Sequence, residues 1–170
     1  YVFGGGQNGT SLVELASRVG FDCVVLDDRE AYANNERHPR AIETRTGNYE
    51  SLSQGPFVDA GSFVVVTHQH AGDEKALRGV LRHAASAKYI GVIGSALKVR
   101  DMYRRMLADG FEREELEQVY APIGIDHGGQ SAEEIALAIC AELVAARYGK
   151  QLADSMRTRS TLLEQLSPQD

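Results

Sequence analysis

The apolar residues of this 170-residue chain form short runs that alternate with segments of helical spacing. Apolar, β-branched runs predict buried strands at Phe21–Asp27, Phe63–Thr67 and Tyr89–Ile93, a strand that ends at Phe3, and a short last strand at 119–121. Apolar residues three and four positions apart predict helices at 12–19, 73–85, 95–110, 113–118 and 131–148. Strands that alternate with helices predict an α/β fold, a Rossmann-like doubly wound parallel sheet in three α/β/α layers.

Two parts of the chain lack this rhythm. Residues 28–56 have few periodic apolar positions, so we expect an irregular segment with one short strand or helical turn, of the kind that often covers a ligand. The polar residues 149–170 predict a loosely docked helix or an oligomer contact. The domain is therefore expected at 1–148. Because Tyr1 already lies inside a predicted core strand, we expect the chain to be a piece of a longer protein.

Composition narrows the class of protein. The net charge is −6, the pI is about 5.4, and acids and bases are interspersed, so we expect no nucleic-acid partner. Membrane-spanning apolar segments and a charged leader are absent from the sequence, so we expect no membrane partner and a cytoplasmic protein. Cys23 and Cys140 are too far apart to suggest a zinc site or a disulfide framework, and both are predicted to be core residues.

The first predicted strand runs directly into Gly4-x-Gly6-x-x-Gly9, which is typical of a turn that binds phosphate. Asp27 follows 18 residues after Gly9, near the spacing of the acid that holds an adenosine ribose. A carboxylate there favours NAD over a ligand with a 2′-phosphate, although Arg29 leaves NADP open. The alternative for Asp27 is a solvated turn.

Every predicted strand ends in small or polar residues, and the ends of parallel strands meet at one edge of a sheet. We therefore expect one binding edge built from Gly4, Gly6, Gln7, Asn8, Gly9, Asp27, Asp28, Arg29, Thr67, His68, His70, Gly94, Ser95, Gly124 and Asp126.

Other chemistry has less support in the sequence. His68 and His70 with Asp73 are competent zinc or iron ligands, but histidines at a strand-to-helix turn more often bind a phosphate or an organic ligand, or cap the helix at Asp73, and we expect no metal. Of the basic residues that follow Ser95, only Lys98 lies in the first helical turn, where it could contact an anion. No residue is assigned a catalytic role, because no nucleophile elbow or Gly-Lys-Ser/Thr loop is present.

Taken in order, five motifs resemble the carboxyl-terminal Rossmann domain of the XdhC/CoxI family. They are Gly4-x-Gly6-x-x-Gly9, 25–29 (Val-Leu-Asp-Asp-Arg), 65–73 (Val-Val-Thr-His-x-His-x-x-Asp), 89–95 (Tyr-Ile-Gly-x-Ile-Gly-Ser), and 121–126 (Ala-Pro-Ile-Gly-Ile-Asp) with 133–136 (Glu-Glu-Ile-Ala). The resemblance implies an accessory factor for molybdenum hydroxylases such as xanthine dehydrogenase, which binds molybdopterin, assists its sulfuration and delivers it to the apoenzyme. It also implies a hydroxylase and a cysteine-desulfurase-type sulfurtransferase as partners, with a possible homodimer.

Two features depart from that family. The family's amino-terminal domain, which carries a cysteine associated with cofactor handling, is absent from this chain, and His127 stands where an apolar residue is expected. The alternatives are an NAD(P)-dependent oxidoreductase, for which no Tyr-x-x-x-Lys pair is present, and a nucleotide-sensing domain.

Overall fold

The computed structural model describes residues 1–49, 51, 61–68, 71–83 and 86–150. The strands are β1 (Val2–Phe3), β2 (Val24–Asp27), β3 (Glu43–Thr46), β4 (Phe63–Val66), β5 (Tyr89–Val92) and β6 (Val119–Tyr120). The helices are α1 (Gln7–Arg18), α2 (Ala71–His83), α3 (Ala96–Ala108), α4 (Arg113–Glu117) and α5 (Ala132–Arg147). No helix in the described ranges is long and apolar enough to cross a membrane.

The six strands form one parallel sheet in the order β3-β2-β1-β4-β5-β6. Successive strands are added toward one edge of the sheet from β1 to β3 and toward the other edge from β4 to β6. This reversal of strand order lies between β1 and β4, which pair in parallel, Val2 with Val65 and Phe3 with Val66. This is the strand order of a Rossmann fold, in which ligands bind beyond the carboxyl ends of the strands at that reversal. The predicted fold is confirmed, and it places the glycine turn at the reversal.

Alternate residues of each strand point to opposite faces of the sheet, and each face has its own buried cluster. Phe3 belongs to the cluster that α2 and α3 cover through Leu77 and Met106. Val2 belongs to the cluster that α1 and α5 cover, which includes Leu12, Val13, Ile139 and both cysteines. The prediction of three layers and of buried Cys23 and Cys140 is therefore confirmed.

Element boundaries differ from the prediction in places. Helix α1 begins at Gln7 because the glycine turn leads directly into it. Strand β2 begins at Val24, not at Phe21, because the Phe21 amide still donates to Ala16 at the end of α1, at 3.0 Å. The short strand expected in 28–56 is β3, an edge strand of polar residues. Residues 84–85 of the predicted second helix and 151–170 of the tail lie outside the described residues.

Candidate functional site

Three glycines of the turn after β1 are held so closely that a side chain would not fit. Gly4 has φ +115°, and a Cβ there would lie 2.6 Å from the His68 amide nitrogen. A Cβ at Gly5 would overlap the Tyr32 carbonyl oxygen, and one at Gly9 would overlap the Gly4 carbonyl oxygen. These contacts draw β1, β4 and the start of α1 together.

Gly6 differs from its neighbours because its α-carbon faces open space. A Cβ at this position would meet no atom of the described residues within 4 Å, and φ is −68°, which any residue can adopt. Gly6 is the N-cap of α1 and has no side-chain cap, and the N–H groups of the first turn have no partner within the helix. The turn therefore presents open backbone donors and the positive end of the helix dipole at one point.

Asp27, at the end of β2, holds the glycine turn in place. Its side chain is fully buried, with 0% exposure, and accepts hydrogen bonds from the Gly5 amide at 2.8 Å and from the Arg29 amide at 3.0 Å. The Arg29 guanidinium donates two more, at 2.8 and 3.0 Å. Burial acts to raise the pKa of Asp27, but these hydrogen bonds outweigh it and hold the pKa below its usual value. The carboxylate is thus ionised and occupied in this arrangement.

The segment after β2 closes over the glycine turn from one side. The Arg29 guanidinium carbon lies 3.8 Å from the Tyr32 ring centre, and that of Arg37 lies 4.9 Å from it. Arg37 Nε donates to the Gly5 carbonyl oxygen at 2.8 Å, and buried His38 contacts the Tyr32 carbonyl oxygen through Nε2 at 2.8 Å. Arg37 has no carboxylate partner in the described part of the chain. Its charge is therefore available beside the turn.

The end of β4 lies across the turn from Asp27. Buried Thr67 donates through its hydroxyl to the Gly4 carbonyl oxygen at 3.3 Å, and His68 Nε2 lies 3.3 Å from Asp28 Oδ1. The His68 ring packs against the α-carbon of Gly72 in the first turn of α2. His70 lies outside the described residues, so its predicted role stays a prediction.

A cavity of about 700 Å³ opens beside this turn, between the amino ends of α2 and α3. Its apolar walls come from β5 and α3, and its polar groups come from α1, the end of β4, α2 and α3. The lining consists of Asn8, His68, Asp73, Glu74, Val92, Ile93, Gly94, Lys98, Val99, Asp101, Met102 and Arg105. Of the predicted site residues, Asn8, His68 and Gly94 line it, and Ser95 caps α3 beside it, accepting from the Lys98 amide at 3.4 Å.

Asp73 is the unusual group in this cavity. Its Oδ1 atom is buried and has no hydrogen-bond partner among the described residues. Burial raises the pKa of Asp73 to about 8, and the positive charge of Lys98 opposes this only in part. By contrast, Glu74 is held by Arg78 at 2.7 Å and by Arg105 at 2.7 Å. Arg105, whose side chain is 58% exposed, thus forms part of the cavity wall.

The end of β6 is turned toward the protein interior. The Gly124 amide donates to Oε2 of buried Glu142 at 2.6 Å, and a Cβ at Gly124 would lie 3.2 Å from the Ala138 Cβ. Asp126 is exposed. Neither Gly124 nor Asp126 is among the residues that line the cavity. Their assignment to the ligand site therefore stays a prediction.

His127 has a local role in the loop that follows. Its Nδ1 accepts from the Gly129 amide at 2.9 Å, which leaves Nε2 to donate to the Glu134 carbonyl oxygen at 2.9 Å. A capping box begins α5: the Ser131 hydroxyl accepts from the Glu134 amide at 3.2 Å, and the Glu134 side chain accepts from the Ser131 amide at 3.0 Å. The polar His127 is thus accounted for by the hydrogen bonds that shape this loop.

One group of side chains has the composition of a cation site. Ligand atoms of Asp27, Asp28 and His68 lie within 4.8 Å of one another. Asp27, however, already gives its carboxylate to Arg29 and to the Gly5 amide. A cation would have to displace the arginine, so we retain the expectation that this edge takes an anionic ligand and no metal.

Comparison with known proteins agrees with this architecture. Residues 1–143 match the XdhC Rossmann domain. A Bacillus subtilis (strain 168) protein named as a probable xanthine dehydrogenase subunit is 30% identical over 147 residues, which is 86% of this chain and 42% of that protein. An uncharacterized Escherichia coli (strain K12) protein, YqeB, is 24% identical over 151 residues, which is 86% of this chain and 27% of that protein.

A solved structure has the same fold. The crystal structure of a xanthine dehydrogenase from Bacillus halodurans superposes with a TM-score of 0.73 at 28% identity, covering 95% of this chain and 45% of that one. The chain thus spans less than half the length of each of these three proteins. By the match over residues 1–143, the chain belongs to the XdhC Rossmann domain family.

Proposed function

We propose that this domain binds molybdopterin, the phosphate-bearing pterin of the molybdenum cofactor, as part of an accessory factor for a molybdenum hydroxylase of the xanthine dehydrogenase type. The observation that carries the proposal is the open α-carbon of Gly6 at the amino end of α1, next to the 700 Å³ cavity. Unpaired N–H groups and a helix dipole suit a phosphate at that point.

The residues present fit such a ligand. The phosphate would be held by the backbone of Gly6, Gln7 and Asn8, with the charge of Arg37 beside them. The pterin would lie in the cavity, whose volume is in the range of pockets for ligands of this size. When bound, the cofactor supplies the dithiolene group that holds molybdenum. The protein's part is to bind and orient it, and neither task requires turnover in this domain.

The accessory role follows from the family. Two of the proteins similar to this chain carry xanthine dehydrogenase in their names, and each is more than twice as long as the matched region. We therefore extend the proposal to a hydroxylase apoenzyme and a cysteine-desulfurase-type sulfurtransferase as partners, to cofactor sulfuration and insertion, to a homodimer and to a cytoplasmic location.

A second candidate is the binding of NAD or NADP, for redox chemistry or for sensing. It is favoured by the strand order and by Asp27, which lies at the end of β2 where a ribose would be recognised. In this arrangement Asp27 would have to exchange its bonds to the Gly5 amide and to Arg29 for bonds to ribose hydroxyls.

The test is isothermal titration of the 170-residue chain with molybdopterin under anaerobic conditions, beside NAD and NADP. We expect selective binding of molybdopterin. Gly6→Val should weaken the affinity for molybdopterin by at least ~10-fold, because the loss of charge-assisted hydrogen bonds has that magnitude. Gly6→Val should still fold, since its side chain meets no described atom within 4 Å and the change only weakens the N-cap of α1. Unchanged molybdopterin affinity in that variant, or selective binding of NAD or NADP, would overturn the proposal.

A further inference from the structure

Two groups of opposite charge type, a carboxyl and an ammonium, line the cavity at the amino ends of α2 and α3. Asp73 projects from the first turn of α2 and Lys98 from the first turn of α3, and both line the cavity. Lys98 is close enough to influence the carboxyl group electrostatically, yet no ion pair joins the two side chains in the described part of the structure. A ligand group can therefore lie between them.

The cavity also presents apolar surface to that ligand. Val92 and Ile93, at the end of β5, and Val99 and Met102, on α3, supply apolar surface. Apolar surface combined with convergent polar groups is typical of small-molecule sites. Asn8, two residues after the phosphate position proposed at Gly6, lines the same cavity as Asp73. A phosphate-bearing ligand would thus place its ring toward Asp73.

We infer that the cavity takes an aminopyrimidinone ring, the edge shared by pterins and guanine, and that Asp73 recognises this edge. A carboxylate carries two parallel acceptors, and an aminopyrimidinone presents a ring N–H and an amino N–H side by side. The buried Oδ1 of Asp73, which has no hydrogen-bond partner among the described residues, would accept a hydrogen bond from one of these N–H groups. Lys98 would donate to the adjoining ring carbonyl. The inference rests on the proposed function, which places a phosphate-bearing pterin in this cavity.

The protonation of Asp73 predicts that ligand binding releases protons, which can be measured. With a pKa of about 8, the carboxyl is mostly protonated at pH 7 when the cavity has no ligand. Two N–H donors favour the ionised form, so binding should release close to one proton, on the order of 0.9, at pH 7. The other titratable groups that line the cavity are His68, Glu74, Lys98, Asp101 and Arg105. Asp73→Asn separates the contribution of Asp73 from theirs.

The experiment uses ligands without phosphate, so that it does not depend on Gly6. Pterin, guanosine and lumazine are titrated by calorimetry at pH 7 in two buffers that differ in ionisation enthalpy. Lumazine has a carbonyl group in place of the amino group of pterin. We expect wild type to prefer pterin over lumazine by ~10–100-fold with proton release, because hydrogen bonds to charged groups have that magnitude. Affinity for guanosine equal to that for pterin would assign the site to the shared edge, and weaker affinity would assign it to pterins.

Asp73→Asn should lose both the preference and the proton release. The matched control is Asp22→Asn, an exposed aspartate at the opposite edge of the sheet, which should behave as wild type. Thermal melting establishes that both variants are folded. An unchanged pterin preference in Asp73→Asn, or no binding of pterin to wild type, would overturn the inference.

The two proposals fail separately. If Gly6→Val loses molybdopterin while Asp73→Asn binds pterin as wild type does, the proposed function stands and the role of Asp73 is wrong. If pterin selectivity depends on Asp73 but molybdopterin binds Gly6→Val normally, the heterocycle site stands and the phosphate site is wrong.

Discussion

Replacing Asp73 with asparagine should stabilise the protein, and increasingly so as the pH rises. The pKa of Asp73 is raised to about 8 in the folded protein from an ordinary value of 3.8. The stability that the protonated carboxyl contributes is fully present below the unfolded pKa and is lost as the pH rises through the folded pKa. Asparagine has nearly the same shape and does not titrate, so it removes this dependence.

The size of this change in stability follows from the shift in the pKa of Asp73. Each pKa unit corresponds to about 1.4 kcal/mol, and the full shift would lower the free energy of unfolding by about 3–4 kcal/mol between pH 5 and pH 8. Partial exposure of the Asp73 side chain reduces this, so we expect the gap between Asp73→Asn and wild type to widen by about 2–3 kcal/mol over that range.

Urea denaturation followed by circular dichroism at pH 5, 6, 7 and 8 measures this gap. Asp22→Asn controls for the general effect of removing one negative charge. Parallel stability curves for wild type and Asp73→Asn would refute the reasoning. A stabilised variant that no longer distinguishes pterin from lumazine would show that Asp73 is retained at a cost to stability, as binding residues often are.

The remaining predictions concern groups that hold the site together. Gly9→Ala should lower the free energy of unfolding by ~3 kcal/mol or more, since its Cβ would overlap the Gly4 carbonyl oxygen and the backbone would have to move; wild-type urea stability would contradict this. Asp27→Ala should cost ~2–4 kcal/mol, because it leaves the buried Gly5 amide without its acceptor and leaves Arg29 with Asp28 as its carboxylate partner; a loss below about 1 kcal/mol, the size of a surface mutation's effect, would contradict it. Glu142→Ala should cost ~2–4 kcal/mol by orphaning the Gly124 amide, and amide hydrogen exchange should show faster exchange at Gly124 than in wild type.

The sequence is sufficient to predict the fold and the position of the glycine turn, because both depend on local patterns. The turn, the buried strands and the caps at Ser95 and Ser131 are each encoded within a few residues. Strand β3 is predictable only as one element of an irregular segment, since its residues are polar and lie at the sheet edge.

Side-chain roles that depend on distant packing are not predictable in the same way. The sequence indicates Asp73 only as a metal ligand or a helix cap, because its burial depends on how α2 packs against α3. Arg37 lies in a segment without periodicity, and its bond to Gly5 spans 32 residues. Glu142 does leave a signal, a lone acidic residue in the apolar run of α5, which marks a buried partner for a polar group elsewhere.

The most direct test of the central claim is to map molybdopterin onto the chain by ¹⁵N–¹H NMR under anaerobic conditions. We expect amide shifts to concentrate at Gly6, Gln7 and Asn8 and to continue to the residues around Asp73 and Lys98, along the cavity. Shifts confined to the smaller cavity of about 480 Å³ at the amino ends of the strands, or no shifts at saturating ligand, would contradict it.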